Sequence, residues 1–113
     1  MPHLLIHCSA SIIHPKPADN LIRAVNDAAL ATDLFKPETI KVRIQQFEFF
    51  SNGGTDGDFI HVFAHIMEGR NSDQKSLLTS TIINRLEKIY PNVPYISVNV
   101  IDMDKTSYRK KSN

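Results

Sequence analysis

Apolar residues occur along the chain in short runs that alternate with longer stretches of helical periodicity. The first run, residues 2–8, is apolar on both faces, as expected for a central strand of a sheet. Pro15 and Pro17 then predict a turn. From Ala18 to Thr32 the apolar residues recur at helical spacing, which predicts an amphipathic helix.

The next stretch, IKVRIQQFEFF at residues 40–50, begins with strict alternation of apolar and polar residues, which predicts a half-buried strand. The following SNGGTDGD segment has the composition of a turn. The second half repeats this plan with a strand at 59–67, a helix capped by Ser72 that stops before Pro91, and a strand at 95–103.

This order predicts an α+β fold in a single domain, residues 1–113, in which two βαβ units form one four-stranded sheet with both helices on one face. The other face would carry apolar residues such as Leu5, Phe63 and Val98 or their alternates. A monomer rarely exposes such a patch, so we expect other copies of the chain to cover it in a closed cyclic oligomer.

Composition excludes several classes of protein. The formal net charge is +1, which argues against a general nucleic-acid binder, and the basic residues after Asp104 are typical of a solvated end. Cys8 is the only cysteine, so no disulfide forms within the chain. No apolar run is long enough to span a membrane and the start lacks a signal peptide's features, so we expect a cytoplasmic protein.

The histidines form no convincing metal site in the sequence. His61 and His65 would share one side of a helix, but on the predicted strand they lie about 13 Å apart, too far for one ion. His3 and His7 fail by the same geometry. We therefore expect no metal and no cofactor, and Cys8, which lies within a strand, is interpreted as a small core residue.

Pro2 and three cations offer a more specific chemistry. A strand that starts at residue 2 would hold Pro2 in a fixed position, and removal of Met1 would leave its secondary amine free. Lys41 and Arg43 lie on one face of the second strand, and Arg70 lies in a strand-to-helix connection. Nearby cations disfavour an ammonium ion, so they would keep the amine neutral as a general base. The same cations would hold an anionic substrate.

Several stretches resemble a known family. The opening with Pro2, His3, Cys8 and Ser9, the AVNDAALATDLF and IKVRIQQFEFF stretches, and HVFAHIMEGR resemble the 5-carboxymethyl-2-hydroxymuconate Δ-isomerases. That family belongs to the tautomerase superfamily, with 4-oxalocrotonate tautomerase and macrophage migration inhibitory factor.

The resemblance implies a homotrimer, a catalytic N-terminal proline, and a keto–enol proton shuttle in aromatic compound catabolism that acts on a small anionic keto or enol acid. It also implies arginines that bind substrate carboxylates. Arg70 matches one of them, whereas Lys41 occupies the position of another, with Arg43 two residues further on. Lysine keeps the charge but lacks the bidentate fork. His7 stands where an acid is expected in the relatives.

Three hypotheses follow. In the first, Pro2 is the general base of an isomerase that tautomerises an unsaturated 2-hydroxy or 2-oxo dicarboxylate, such as 5-carboxymethyl-2-hydroxymuconate. In the second, the superfamily is the same but the reaction is that of a phenylpyruvate tautomerase or a dehalogenase. In the third, the chain is a binding protein similar to macrophage migration inhibitory factor, without catalysis.

Overall fold

The computed structural model describes residues 1–14 and 17–111, so the turn predicted at Pro15 lies outside the described residues. Its main elements follow the predicted order. They are β1 (His3–Ser9), α1 (Ala18–Ala31), β2 (Lys41–Phe47), β3 (Phe59–Met67), α2 (Ser72–Ile89) and β4 (Tyr95–Met103), with short 3₁₀ helices at Ala10–Ile13 and Pro37–Thr39.

The strands form one sheet in the order β2-β1-β3-β4. Strand β1 is parallel to β2, β3 is parallel to β4, and the central pair β1 and β3 is antiparallel. Two βαβ units therefore lie side by side, which confirms the predicted α+β architecture.

Both helices pack on the same face of the sheet. Strand β1 turns Leu4, Ile6 and Cys8 toward them, and all three side chains are fully buried, because alternate residues of a strand point to the same face. The helices contribute buried residues at intervals of three to four, which form a single stripe along each helix. These residues are Leu21, Ala24, Val25, Ala28 and Ala29 of α1 and Leu78, Ile82 and Leu86 of α2.

The N-cap of helix α2 lies one residue earlier than predicted. Asn71, not Ser72, is the N-cap, and its side-chain oxygen accepts a 2.9 Å hydrogen bond from the backbone N–H of Gln74. The Gln74 side chain in turn accepts a 2.9 Å bond from the backbone N–H of Asn71. Asn and Ser are equally good caps, and the reciprocal partner three residues on selects Asn71.

The sheet has an open face opposite the helices. It carries His3, Leu5, His7, Lys41, Arg43, Gln45, Phe47, Phe59, His61, Phe63, His65, Met67, Tyr95, Ser97, Asn99, Ile101 and Met103. Leu5 and Phe63 lie there as predicted, but Val98 does not. Val98 pairs with buried Val62 and packs against the core, so its assignment to the open face was wrong.

We expect Leu78→Ala to destabilise the protein by about 2–5 kcal/mol, because it opens a cavity in the core. Leu77→Ala is the matched control, since Leu77 is the preceding residue of α2 and is 46% exposed, whereas Leu78 is fully buried. The control should change the free energy of unfolding by no more than about 0.5 kcal/mol. Urea denaturation at one protein concentration measures both, and equal losses would contradict this assignment of the core.

Candidate active site

The candidate site lies at the end of the sheet where strand β1 begins. Pro2 precedes β1, its side chain is fully buried, and its carbonyl accepts a 3.1 Å hydrogen bond from the backbone N–H of Lys41. Proline has no backbone N–H, so the first position of a strand suits it. With Met1 present the nitrogen of Pro2 is an amide, and the free amine belongs to Met1.

The topology of the sheet brings three cations to this end of the strands. Strands β1 and β2 start here, so Lys41 lies beside the chain terminus. Strands β3 and β4 run antiparallel to β1 and end here, so the connection after β3 carries Arg70, and the segment after β4 carries Lys110. The pKa of the terminal amine is lowered below its usual value, first by burial and then by Arg70, Lys110 and Lys41.

Arg70 is held in place by the connection that follows α1. Its guanidinium donates a 2.6 Å hydrogen bond to the carbonyl of Leu34 and lies over the Phe35 ring, 5.2 Å from the centroid. The bond to Leu34 uses one of the five N–H donors of an arginine. Arg70 is therefore oriented by neutral groups, and its charge remains available to an anion.

Arg43, in contrast, is directed at His3. The Arg43 guanidinium lies 3.5 Å from Nδ1 of His3, and Tyr108 Oη lies 2.9 Å from Nε2 of the same ring. A guanidinium can only donate, so Nδ1 accepts and the proton of a neutral His3 lies on Nε2, which donates to Tyr108. Burial, Arg43, Lys41, His65 and the terminal amine lower the pKa of His3, which favours this neutral form.

No carboxylate neutralises these cations within the part of the chain that the structure describes. The one salt bridge among residues 1–14 and 17–111 joins Lys75 to Asp102, 2.8 Å apart. Lys41, Arg70 and Lys110 thus leave a net positive field around the buried terminus. Such a field favours an anionic ligand.

The structure therefore brings together three of the four predicted site residues, Pro2, Lys41 and Arg70, and places Arg43 beside His3. Sequence reasoning missed His3, Tyr108 and Lys110 as neighbours of the site. His3 and Tyr108 are 105 residues apart, and no periodicity in the sequence indicates that they touch.

Two other potentially reactive side chains, Cys8 and Asp58, lie away from this site. Burial raises the pKa of Cys8 to about 11, with a smaller contribution from Asp58, so its thiol is not a nucleophile at neutral pH. Asp58 itself accepts hydrogen bonds from Ser9 and Ser11 at the opposite end of β1. Among the described residues, no group of three or more His, Cys, Asp or Glu side chains is placed to hold a metal ion.

The fold is that of the 4-OT-type tautomerases. Similar solved structures include a 5-carboxymethyl-2-hydroxymuconate delta-isomerase, with a TM-score of 0.78 and 16% identity over 100% of this chain and 89% of that chain. A 5-carboxymethyl-2-hydroxymuconate isomerase from Deinococcus radiodurans R1 gives 0.75 and 18% identity over 99% and 90%. A fused 4-OT wild type symmetric trimer gives 0.79 and 17% identity over 94% and 89%.

The model of the 5-carboxymethyl-2-hydroxymuconate isomerase family matches residues 2–113, so the chain belongs to that family and is an enzyme of the isomerase type. Comparison with curated protein sequences gives no significant match. No helix in the described part of the chain is long and apolar enough to cross a membrane.

Two substitutions should separate the electrostatics of the amine from those of His3. Arg70→Ala removes a positive charge near the ammonium, so the pKa of the terminal amine should rise while that of His3 stays close to its parental value. Arg43→Ala should raise the pKa of His3 and leave that of the terminal amine close to its parental value. NMR pH titrations of the labelled terminus and of the His3 ring measure both, and an amine pKa unchanged by Arg70→Ala would contradict the placement of Arg70 beside the terminus.

Proposed function

We propose that the protein catalyses keto–enol (1,3-allylic) tautomerisation of an unsaturated 2-hydroxy or 2-oxo dicarboxylate such as 5-carboxymethyl-2-hydroxymuconate, with the amine of Pro2 as general base. Removal of Met1 exposes that amine. The proton shuttle needs no cofactor, and the reaction belongs to the cytoplasmic breakdown of aromatic compounds.

The observation that carries this proposal is the group of uncompensated cations around the buried chain terminus. Lys41 and Arg70 lower the pKa of the Met1 amine, without themselves meeting a described carboxylate, and they would act in the same way on the Pro2 amine that replaces it. A lowered pKa leaves a larger neutral fraction near pH 7, and only the neutral amine can accept a proton. The same two charges can then pair with substrate carboxylates.

In the reaction the amine of Pro2 takes a proton from the 2-hydroxyl group of the dienol or from an acidic carbon, and becomes an ammonium ion. The electron pair left behind spreads over the conjugated system as a dienolate. The ammonium returns the proton to another carbon of that system, so the amine is regenerated and the substrate is isomerised. Fixed cations stabilise the negative charge that develops between the two transfers.

Of the two cations on β2, we assign the substrate contact to Lys41. Both cations lower the pKa of His3, but only Lys41 is also among the charges that lower the pKa of the terminal amine. A lysine binds a carboxylate as a point charge and lacks the bidentate geometry of an arginine. The protein should therefore tolerate more variation in carboxylate position at Lys41 than at Arg70.

Placing one extra residue before Pro2 in the mature protein tests the role of the amine. The extension converts the amine to an amide, so turnover should fall by roughly 10²–10⁴-fold, the usual contribution of a general base. Pro2→Ala, processed to a free terminus, is the matched control, since a primary amine in nearly the same position should retain partial activity.

The parent enzyme should also gain activity with rising pH along one limb as the ammonium loses its proton. The midpoint should lie below the pKa of a free prolyl amine, because the burial and the cations that lower the pKa of the Met1 amine would also act on the amine of Pro2. Mass spectrometry establishes the terminus of each variant. Parental turnover in a folded, extended variant would remove Pro2 from the mechanism.

We further propose that the chain is a homotrimer assembled through the open face. This face combines apolar side chains, such as Leu5 and Phe63, with an aromatic cluster in which the Phe63 ring lies 4.9 Å from the His7 ring and 4.3 Å from the His61 ring. The ring nitrogens of His61 also meet Ser97 and Asn99, at 2.6 and 2.7 Å. The polar groups of His61, Ser97 and Asn99 are thus paired within one protomer, which permits close packing of this part of the face against another copy.

Light scattering should therefore give a mass three times that of the chain at micromolar concentration. Phe63→Glu should dissociate the trimer, because it places a charge in an apolar contact. Phe49→Glu is the control, since Phe49 is 91% exposed and lies outside the strands. A parent protein that is monomeric under these conditions would overturn this proposal.

A further inference from the structure

The segment that follows β4, residues 104–111, keeps its basic side chains exposed, as its composition predicts, but it folds back toward the start of β1. It turns at Asp104, whose carbonyl accepts hydrogen bonds from the backbone N–H groups of Ser107 and Tyr108, at 3.2 and 3.1 Å. The side chain of Asp104 accepts from the N–H and the hydroxyl of Thr106. These bonds to Thr106 lower the pKa of Asp104, so the turn is fixed in the ionised state.

The start of this segment is tied to the connection that carries Arg70. The backbone N–H of Glu68 donates to the carbonyl of Met103 at 3.1 Å, and the backbone N–H of Lys105 donates to the Glu68 carboxylate at 2.7 Å. Glu68 lies two residues before Arg70. The 104–111 segment is therefore held against one side of the candidate site.

Its far end reaches the other side of the site. The Tyr108 hydroxyl lies 2.9 Å from Nε2 of His3, and the two rings meet edge to face with centroids 5.9 Å apart. His3 follows Pro2 directly. The 104–111 segment thus spans from the Arg70 connection to the residue beside the proposed base, and Lys110 comes two residues after Tyr108.

We propose that the 104–111 segment forms a wall of the substrate site, in which Tyr108 is a positioning residue that docks the segment on His3 and Lys110 is a third substrate-binding cation. The inference rests on the proposed tautomerase function. Lys110 would extend the anion-binding set beyond Lys41 and Arg70, and would favour substrates that carry a second carboxylate over those with a single one.

The electrostatics of the terminal amine agree with this placement. Lys110 contributes to the lowered pKa of the terminal amine, between Arg70 and Lys41 in the size of its effect. Lys111 is the next residue and is also exposed, but it is not among the causes of that shift. The two lysines therefore form a matched pair for experiment.

The test compares Lys110→Ala, Lys111→Ala and Tyr108→Phe in the mature, full-length enzyme. The substrates are the dianion 2-hydroxymuconate and the monoanion phenylenolpyruvate. Lys110→Ala should raise KM for the dianion about three- to tenfold, which is less than a buried charged hydrogen bond would give because Lys110 is exposed. At a pH high enough for the terminal amine to be neutral in every variant, KM for the monoanion and kcat for both substrates should stay within about twofold.

Tyr108→Phe keeps the ring but loses the hydroxyl group, so it should shift KM for the dianion in the same direction by about two- to threefold. Lys111→Ala should match the parent. If Lys110→Ala behaves like Lys111→Ala on the dianion, Lys110 is not part of the site and the proposal is overturned. An equal rise in KM for dianion and monoanion would overturn its role in selectivity.

A second measurement does not depend on turnover. In an NMR pH titration, Lys110→Ala should raise the pKa of the terminal amine and Lys111→Ala should leave it unchanged. Tyr108→Phe should also shift the ring resonances of His3. If these results hold in a protein that isomerises neither substrate, the proposed function fails while the docking of the segment stands. An amine pKa and a His3 spectrum that none of the variants changes would refute the docking.

Discussion

Strand β1 is hydrogen-bonded along both of its edges, to β2 on one side and to β3 on the other. An edge strand at a chain terminus frays readily, whereas a strand with two neighbours is fixed by two ladders of backbone bonds. Pro2 thereby has a defined position at the end of the sheet where β1 begins. The proposed role of Pro2 as a base depends on this fixed geometry, because proton transfer requires a distance to the substrate that is set in advance.

The same pairing decides which charges reach the site. Because β3 runs antiparallel to β1, the carboxyl ends of β3 and β4 lie at the end of the sheet where β1 and β2 begin. Cations distant in sequence, Lys41, Arg70 and Lys110, converge there without any of them touching a described carboxylate. Their mutual repulsion is an electrostatic cost to the folded state, and an anion bound among them would offset it.

Neutral contacts orient the cationic side chains. Arg70 is held by a carbonyl and an aromatic ring, and Arg43 faces a histidine whose pKa is lowered. Orientation by neutral partners preserves the positive field, whereas a carboxylate partner would cancel it. The isomerase family membership of the chain agrees with the proposal that this site binds anions and keeps an amine unprotonated.

The sequence by itself determined the number, kind and order of the main elements, because the alternation of strands and the periodicity of helices are local properties of the chain. It also indicated Pro2, Lys41 and Arg70, through spacing within one strand, a connection before a helix, and the resemblance to a family. It could not decide which alternate residues of β4 lie on the same face of the sheet as Leu4 and Ile6 of β1. Alternation shows which residues of a strand share a face but not which face meets the helices, so Val98 was misplaced.

Only the tertiary structure decided that Arg43 is directed at His3 and that the basic segment after Asp104 folds back onto the site. Both depend on contacts between residues far apart in the chain, such as His3 with Tyr108. Composition predicted a solvated end because lysines and arginines are usually hydrated. These basic side chains are indeed exposed, and the turn at Asp104 is local, but the contact of Tyr108 with His3 depends on where the sheet brings two distant segments of the chain together and not on local sequence.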